Sequence, residues 1–434
     1  MRKVLIIHYR VGRTDGVSIE ISHWTKILRR ERWKVETCAG PINTGADYVI
    51  RDLEPQCHKL IYTLDQESFG GFKKYSQKYF EKQYAKVQKC LFNAFCRVLS
   101  KSRPDRVIVS NIFSVGENIP AARALLQAVE KSNIPTIAIH HDFWWENNRY
   151  SRPSCNLVKN DLNEFMPPKG RLIKHVVINE IAKKELLKRR GIYSTIMHDC
   201  IDFLPPNKDH NGSCGKMLSA YGIKKQDIIV LQGTRIVHRK NIETAMDFVK
   251  MLSERLRTNG NRRVVFVLAG YAEKRDEWYQ KSLRKYAKKL GIKIIEVVGL
   301  VNSYNRVDKN VCKILDIYPY ADLITYPSVY EGFGNQFLEA VYAKKPLVMY
   351  EYPVYKTDIK PLGFKIISLG DEVKYNHKTS LAHIPKDQLD KAVSAAVDIL
   401  EDGKEKKKIV EANFALGKKE FSFEKTARLW RKLL

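Results

Sequence analysis

Short runs of apolar residues alternate with longer amphipathic segments along the whole chain. Such runs are typical of strands buried on both faces, and the segments between them are typical of helices that cover a parallel sheet. The runs form two sets of about six, which predicts an α/β protein with two doubly wound domains. The predicted strands are residues 4–7, 35–38, 60–62, 107–110, 136–140 and 176–178 in the first set, and 228–232, 264–269, 294–298, 323–326, 347–349 and 365–367 in the second.

The longest amphipathic segment predicts a single helix over residues 73–101, which ends before Pro104. Its aromatic stripe favours core packing over a binding surface, and its lysine face favours solvent over a membrane. Residues 205–213 have the Pro, Asn, Gly and Ser content of a linker. We therefore predict domains at 1–204 and 205–420, followed by a basic helix at 421–434.

Charge and cysteine content narrow the class of protein. The 434 residues include 76 Lys and Arg against 48 Asp and Glu, a formal net charge of +28. This excess favours an anionic partner, although a lysine-rich composition explains it equally well. No nucleic-acid-binding motif accompanies the charge, so no nucleic-acid partner is expected. The eight cysteines form no C-x-x-C pair, which predicts neither a zinc site nor a disulfide framework. No apolar stretch is long enough for a transmembrane helix, so we expect a cytoplasmic protein, with peripheral membrane contact left open.

The most informative segment is residues 326–340, which places Glu331 and Glu339 eight positions apart. A Gly-Phe-Gly turn and an apolar helical run lie between them. Free N–H groups at such a turn and helix start can bind a phosphate or a sugar oxygen. Two carboxylates at this spacing can bind hydroxyls at the two ends of an elongated ligand such as a nucleotide-sugar. The alternative is an ordinary helix start with an acidic first turn.

The segment resembles the signature of the retaining, GT-B-fold glycosyltransferases of family four. The resemblance implies two Rossmann-like domains that face a cleft, with the last helix packed back on the first domain. It also implies that Glu331 contacts the donor sugar and that Glu339 contacts the ribose. The residues of the turn that would bind the donor are Phe333, Gly334 and Asn335.

Two cations follow the first predicted strand of the second domain. Arg235 and Lys240 are five residues apart, and the family carries an Arg and a Lys at this spacing. Fixed cations stabilise the charge that develops on a leaving diphosphate. Arg239 illustrates the alternative, which is a basic helix start. Because these cations supply the charge, we expect neither a metal nor a cofactor.

The first domain offers a glycine loop and a histidine. Gly16 stands near a predicted helix start, and its loop is not the G-x-G-x-x-G of nicotinamide-binding proteins. His141 follows a predicted strand, where open α/β sheets bind ligands. The resemblance implies that His141 lies beside the donor sugar and the acceptor. Acceptor contacts are expected from Asp142, Trp144 and Trp145, although plain packing of the two tryptophans is equally consistent with the sequence.

Further matches and departures define the limits of the resemblance. Gly299 and Leu300 match a turn that borders the nucleotide base. Residues 198–202 replace the usual Asn-Gly end of the first domain, and residues 352–359 replace a glycine-rich turn. The second departure leaves the details of donor-sugar binding open.

The prediction for function is a retaining, metal-independent hexosyltransferase. We expect it to move glucose or mannose from UDP-glucose or GDP-mannose to a hydroxyl of a small anionic acceptor, such as a sugar-acid glycoside. Three alternatives stay open at this point: transfer to an anionic lipid or polysaccharide at a membrane, a GT-B sugar-nucleotide epimerase, and a non-catalytic nucleotide or polyanion binder. The oligomeric state is not predicted.

Overall fold

A computed structural model describes residues 1–12, 15–42, 45–204, 212–258, 262–297, 312, 314–376 and 379–434. The chain divides into two compact units. Unit 1 comprises Met1–Cys200 together with Phe423–Leu434, and unit 2 comprises Ile201–Ser422. The sequence placed the boundaries at residues 204/205 and 420/421, and the observed divisions lie at 200/201 and 422/423.

The described part of unit 1 contains a seven-stranded parallel sheet in the order β3-β2-β1-β4-β5-β6-β7. The chain adds β2 and β3 on one side of β1 and then crosses over to add β4 to β7 on the other side. The topological switch point of the sheet therefore lies between β1 and β4. The elements in chain order are β1 (Lys3–Ile7), α1 (Gly16–Arg30), β2 (Lys34–Ala39), β3 (Tyr48–Val49), α2 (Lys59–Glu67), α3 (Gln77–Ser102), β4 (Arg106–Ser110), α4 (Ile119–Ser132), β5 (Thr136–His140), α5 (Asn156–Phe165), β6 (Ile173–Val177), α6 (Glu180–Arg190) and β7 (Ser194–Ile196).

The described part of unit 2 contains a six-stranded parallel sheet in the order β10-β9-β8-β11-β12-β13, with its switch point between β8 and β11, and a small antiparallel pair, β14-β15. Its elements are α7 (Ser213–Ala220), β8 (Ile228–Gln232), α8 (Ile242–Thr258), β9 (Val264–Leu268), α9 (Glu277–Leu290), β10 (Ile294–Glu296), α10 (Ile314–Ile317), β11 (Leu323–Tyr326), α11 (Asn335–Tyr342), β12 (Leu347–Met349), β13 (Ile367–Ser368), β14 (Lys374–Tyr375), β15 (Ala382–His383), α12 (Lys386–Glu401) and α13 (Gly403–Phe421).

Unit 1 ends with helix α14 (Phe423–Leu433), which lies on the sheet face covered by α1. Trp430 is fully buried and contacts Trp24 of α1 edge to face, with ring centroids 6.0 Å apart. Lys174 Nζ donates to the carbonyl of Leu433 at 2.9 Å. Burying two tryptophans contributes several kcal/mol of hydrophobic stabilisation, so the last helix belongs to the core of unit 1.

The long helix and one short segment differ from the sequence expectation. Helix α3 begins at Gln77, because Ser76 caps it by accepting from the Tyr79 N–H at 3.3 Å. Residues 60–62 were predicted as a strand, and this was wrong, since they form part of helix α2. Ile61 and Leu64 are both buried, which is the i, i+3 spacing of a helix face rather than the alternation of a strand.

A disulfide joins Cys214 and Cys312, so the expectation that no cysteines pair was wrong for these two. The two residues are 98 positions apart, and only the packing of α7 beside α10 brings them together. In the described parts of the chain, no helix combines the length and the hydropathy needed to cross a membrane.

Candidate active site

Strand β11 of unit 2 leads into a turn whose shape depends on glycine. Gly334 has a φ of +134°, and a Cβ added there would meet the Tyr352 hydroxyl at 2.5 Å. The same hydroxyl donates to the Phe333 carbonyl at 2.5 Å, and Tyr352 is fully buried. Tyr352 therefore holds the Gly-Phe-Gly turn in place ahead of helix α11. It stands in the segment where the sequence departs from a glycine-rich turn.

Glu331 is buried in this turn and forms ion pairs with two cations. Arg239 Nη1 donates to Glu331 Oε2 at 2.6 Å, and Lys240 Nζ donates to Glu331 Oε1. Burial raises the pKa of Glu331, but the charges and hydrogen bonds of Lys240 and Arg239 outweigh it and lower the pKa to about 2. The carboxylate is therefore ionised at neutral pH.

Lys240 lies in a short 3₁₀ turn, His238–Lys240, between β8 and α8. Its ammonium group is 5.3 Å from the ring centroid of Tyr326, the last residue of β11. Burial lowers the pKa of Lys240 to about 8, and the Glu331 carboxylate opposes this effect. Lys240 therefore stays charged at pH 7, because Lys240 and Glu331 are each other's partners in a buried ion pair.

Arg235 is placed differently from Lys240. It is partly exposed, and its Nη1 lies 2.9 Å from Glu273 Oε1. After burial and the charge of Arg239, its positive charge makes a further, smaller contribution to the lowered pKa of Lys240. An ion pair between partly exposed groups is weak, which leaves Arg235 available to exchange partners.

Glu339 lies in the second turn of α11 and is buried. The hydroxyl of Tyr318 donates to Glu339 Oε2 at 2.6 Å. Near the start of the same helix, Ser328 Oγ and Asn335 Oδ1 are buried and have no hydrogen-bond partner in the described part of the chain. These two atoms are free to form hydrogen bonds with a polar ligand.

In unit 1, His141 is buried directly after β5. Its backbone N–H donates to Asn111 Oδ1 at 2.8 Å, and its ring stacks on Trp24 with centroids 5.6 Å apart. Asp199 Oδ1 is 4.0 Å from Nε2, and in the described structure neither ring nitrogen has a hydrogen-bond partner. Burial, reinforced by the neighbouring His8, lowers the pKa of His141 to about 3, so the imidazole is neutral at pH 7.

The loop after β1 reaches the same region of unit 1. Gly16 is the first residue of α1, and Asp15 caps the helix by accepting from the Ser18 N–H at 3.1 Å. Burial lowers the pKa of both His8 and His141, and the charge of Asp15 partly opposes this effect. One of the free backbone N–H groups at the start of α1 is therefore already bound by the chain's own carboxylate.

The aromatic residues after His141 pack against the protein. The Trp144 indole donates to the Met166 carbonyl at 2.8 Å, and Trp145 stacks on Phe143 at 4.3 Å. Asp142 is exposed. Gly299 and Leu300 lie outside the described residues, so their predicted contact with the nucleotide base stays a prediction.

Sequence reasoning missed three residues of this region. Arg239 was taken as an ordinary basic residue, yet it binds Glu331 directly. Tyr318 and Tyr352, which hold Glu339 and the glycine turn, gave no sequence signal because each acts across a distance of about 20 residues that only the fold closes.

Comparison with known proteins identifies relatives of this chain. The profile of the family described as glycosyl transferases group 1 matches residues 216–366. The chain is 34% identical to the mannosylglucosylglycerate synthase of Petrotoga mobilis over 439 residues, covering 98% of this chain and 99% of that protein. It is also 34% identical to the mannosylglucosylglycerate synthase of Thermotoga maritima, covering 98% and 97%.

The chain belongs to the group 1 glycosyltransferases. Its fold is the GT-B fold: the sucrose-phosphate synthase of Thermosynechococcus elongatus superimposes with a TM-score of 0.64 at 13% identity, covering 100% of this chain and 99% of that one. The family and fold expected from the Glu331 and Glu339 segment are thereby confirmed.

Proposed function

We propose that this group 1 glycosyltransferase transfers a hexose, with mannose as the first candidate, from a nucleoside diphosphate sugar to a hydroxyl of a small anionic sugar-acid glycoside such as glucosylglycerate. The observation that carries the proposal is the 34% identity to two mannosylglucosylglycerate synthases over almost the whole of both chains. GDP-mannose is the first donor to test, and UDP-glucose is the second.

The residues of unit 2 are suited to the donor. Lys240 and Arg235 would bind the diphosphate, and the ion pair with Glu331 keeps the Lys240 ammonium charged before the donor arrives. Glu331 would also accept from a hydroxyl of the donor sugar, while Glu339 would accept from the ribose. Preorganised cations of this kind stabilise a leaving phosphate without reorganisation during the reaction.

In unit 1, His141 is suited to the hydroxyl groups of the substrates. A neutral His141 can donate from one ring nitrogen and accept at the other, which suits sugar hydroxyls. We propose retention by same-face attack: the acceptor oxygen bonds to the anomeric carbon, the bond from that carbon to the phosphate oxygen breaks, and the acceptor's proton moves to the leaving phosphate. The cations named above supply the charge that a metal would otherwise provide.

One experiment tests these claims together. The purified enzyme is incubated with GDP-mannose or UDP-glucose and with glucosylglycerate or neutral glucosylglycerol, with and without EDTA, and the product linkage is read by NMR. We expect an α-linked mannosyl product from GDP-mannose and glucosylglycerate that EDTA does not reduce. A β-linked product would contradict retention, and loss of activity in EDTA would contradict metal independence.

Three further arms of this experiment test the remaining functions: one without an acceptor, one with anionic vesicles, and calorimetry with the free nucleotide. Conversion of the donor without an acceptor would favour an epimerase, and nucleotide binding without turnover would favour a non-catalytic binder. Activity that requires anionic vesicles would favour a membrane-bound acceptor. Any of these outcomes would overturn the proposed acceptor.

A further inference from the structure

Unit 1 contains a cavity of about 520 Å³ between the loop after α2 and the loop after β5. Three of the side chains that line it are cationic, and the lining includes no Asp or Glu. The residues used in the argument below are Lys73, Arg149 and Arg152, with the polar side chains of Gln66, Asn148 and Ser151 beside them.

The two loops are joined by hydrogen bonds, so the cavity is held in shape before any ligand binds. The Gly70 N–H donates to the Arg152 carbonyl at 2.8 Å, and the Ser154 N–H donates to the Ser68 carbonyl at 2.9 Å. The Gly71 N–H also donates to Ser154 Oγ at 3.0 Å. These bonds fix the backbone that carries Arg152 against the loop that carries Lys73.

A buried carboxylate fixes the other end of the first loop. Glu67 Oε2 accepts from the backbone N–H groups of Lys73 and Lys74 at 2.9 Å each, and of Tyr75 at 3.2 Å. These hydrogen bonds lower the pKa of Glu67 against the raising effect of burial, which keeps it ionised. The backbone of Lys73 is thus rigid, although its side chain is exposed.

The charge of the cavity is largely uncompensated. Asp65 forms an ion pair with Arg149, which neutralises one of the three cations. In the described structure, Lys73 and Arg152 take part in no ion pair. A rigid pocket with two unpaired cations and one arginine already oriented by a carboxylate is suited to a carboxylate or phosphate ligand.

The cavity lies at the ligand-binding edge of the sheet. Arg149 and Arg152 belong to the loop that begins with His141 after β5. A Cβ added at Gly116, in the loop after β4, would meet the ring of Tyr150 at 2.7 Å, so the loop that carries Arg149 and Arg152 lies beside the loop after β4. Open α/β sheets bind ligands beyond the carboxyl ends of their strands, where this loop lies.

We propose that this cavity binds the carboxylate of the acceptor through Lys73 and Arg152, with Arg149 as a third contact, and so determines the specificity for anionic acceptors. The inference rests on the proposed function, since it names the part of unit 1 that recognises the acceptor's charge. Acceptors without a negative charge gain nothing from these side chains.

The test compares acceptor kinetics in Lys73→Ala, Arg152→Ala and the double variant, with Lys89→Ala, an exposed lysine of α3 outside the cavity, as the control. We expect KM for glucosylglycerate to rise about tenfold in each single variant and about 100-fold in the double, the scale of lost charged hydrogen bonds. The kcat, the KM for the donor and the KM for neutral glucosylglycerol should change by less than about twofold. Equal effects on both acceptors, or no effect on either, would overturn the inference.

Calorimetry separates this inference from the proposed function. If the wild-type enzyme transfers to neither acceptor, the proposed function fails, and binding of glucosylglycerate is then measured directly. Binding that is lost in the double variant, with no binding of glucosylglycerol, supports the cavity as an anion site. Binding that the double variant retains, or no binding by the wild type, overturns it.

Discussion

The two units present their candidate residues at the same place in the sheet but in opposite electrostatic states. In unit 2, Glu331, Lys240 and Arg239 are charged and paired at the switch point between β8 and β11. In unit 1, His141 is buried as a neutral ring near the switch point between β1 and β4. A buried side chain stays charged only when it has a partner of opposite charge. Glu331 and the two cations of unit 2 have such partners, whereas burial keeps His141 of unit 1 neutral.

The largest expected effect tests the charged residues of unit 2. Lys240→Met should reduce kcat by about 10²–10³-fold, the scale for losing one transition-state charge partner. It should also lower the free energy of unfolding by about 3 kcal/mol, because Glu331 loses one of its two cations. Steady-state kinetics and urea unfolding measure the two quantities.

A double variant distinguishes catalysis from folding for this pair. Lys240→Met combined with Glu331→Gln removes both charges, so the loss of unfolding free energy should be smaller than in the single variant while kcat stays low. The exposed pair Lys391–Asp387 of α12 is the control, and Lys391→Met should change neither quantity. Recovery of kcat along with stability would show that Lys240 acts only structurally.

The next largest effect tests the neutral His141 of unit 1. His141→Ala should reduce kcat by about 10–100-fold, since it removes a hydrogen-bonding group worth about 1.5–3 kcal/mol in a buried polar site. His58→Gln, elsewhere in unit 1, serves as the control. Activity of His141→Ala within twofold of the wild type would remove His141 from the proposed mechanism.

A smaller effect separates the two carboxylates of unit 2. Glu339→Gln should weaken binding of free GDP about tenfold, because its proposed partner is the ribose. Glu331→Gln should weaken it less, because Glu331 acts on GDP only through the charge of Lys240. Tyr318→Phe removes the hydroxyl that holds Glu339 and should have an intermediate effect. Calorimetry with the nucleotide alone measures this, and equal losses at Glu331 and Glu339 would show that their roles are not separable.

The smallest effect is a difference in pH dependence. The folded pKa of His141 is about 3 against an unfolded value near 6.5, so the unfolded state binds more protons between these values and stability falls as pH decreases below 6.5. The folded pKa of Glu331 is about 2 against 4.5, so its stabilisation is lost only below pH 4.5.

The unfolding free energy of the wild type should fall when the pH is lowered from 7 to 5.5. In His141→Gln this fall should be smaller by about 1 kcal/mol. Glu331→Gln should leave that loss unchanged, although it lowers stability at both pH values. Urea unfolding at the two pH values decides the point. A wild-type slope in His141→Gln would indicate that the pKa of His141 is the same in the folded and unfolded states.

The local pattern of apolar and polar residues was sufficient to predict most of the strands and helices. Strands such as Thr136–His140 and Ile228–Gln232 are found where continuous apolar runs predicted them. The short edge strands β3 and β7 were missed, since two or three residues carry too little pattern to be recognised. Residues 60–62 were assigned wrongly because three apolar residues fit a strand and a helix equally well until their neighbours pack.

The sequence by itself determined the family and the fold, because Glu331, Glu339 and the glycine turn lie within one short segment whose spacing is fixed by the chain. Only the tertiary structure decided that Glu331 meets Lys240 and that Glu339 meets the Tyr318 hydroxyl. It also decided that Tyr352 shapes the Gly334 turn and that Cys214 pairs with Cys312. It also decided the protonation state of His141, since a pKa depends on burial and on charges brought near by the fold. Spacing along a chain encodes local geometry, whereas partners far apart in sequence meet only after packing.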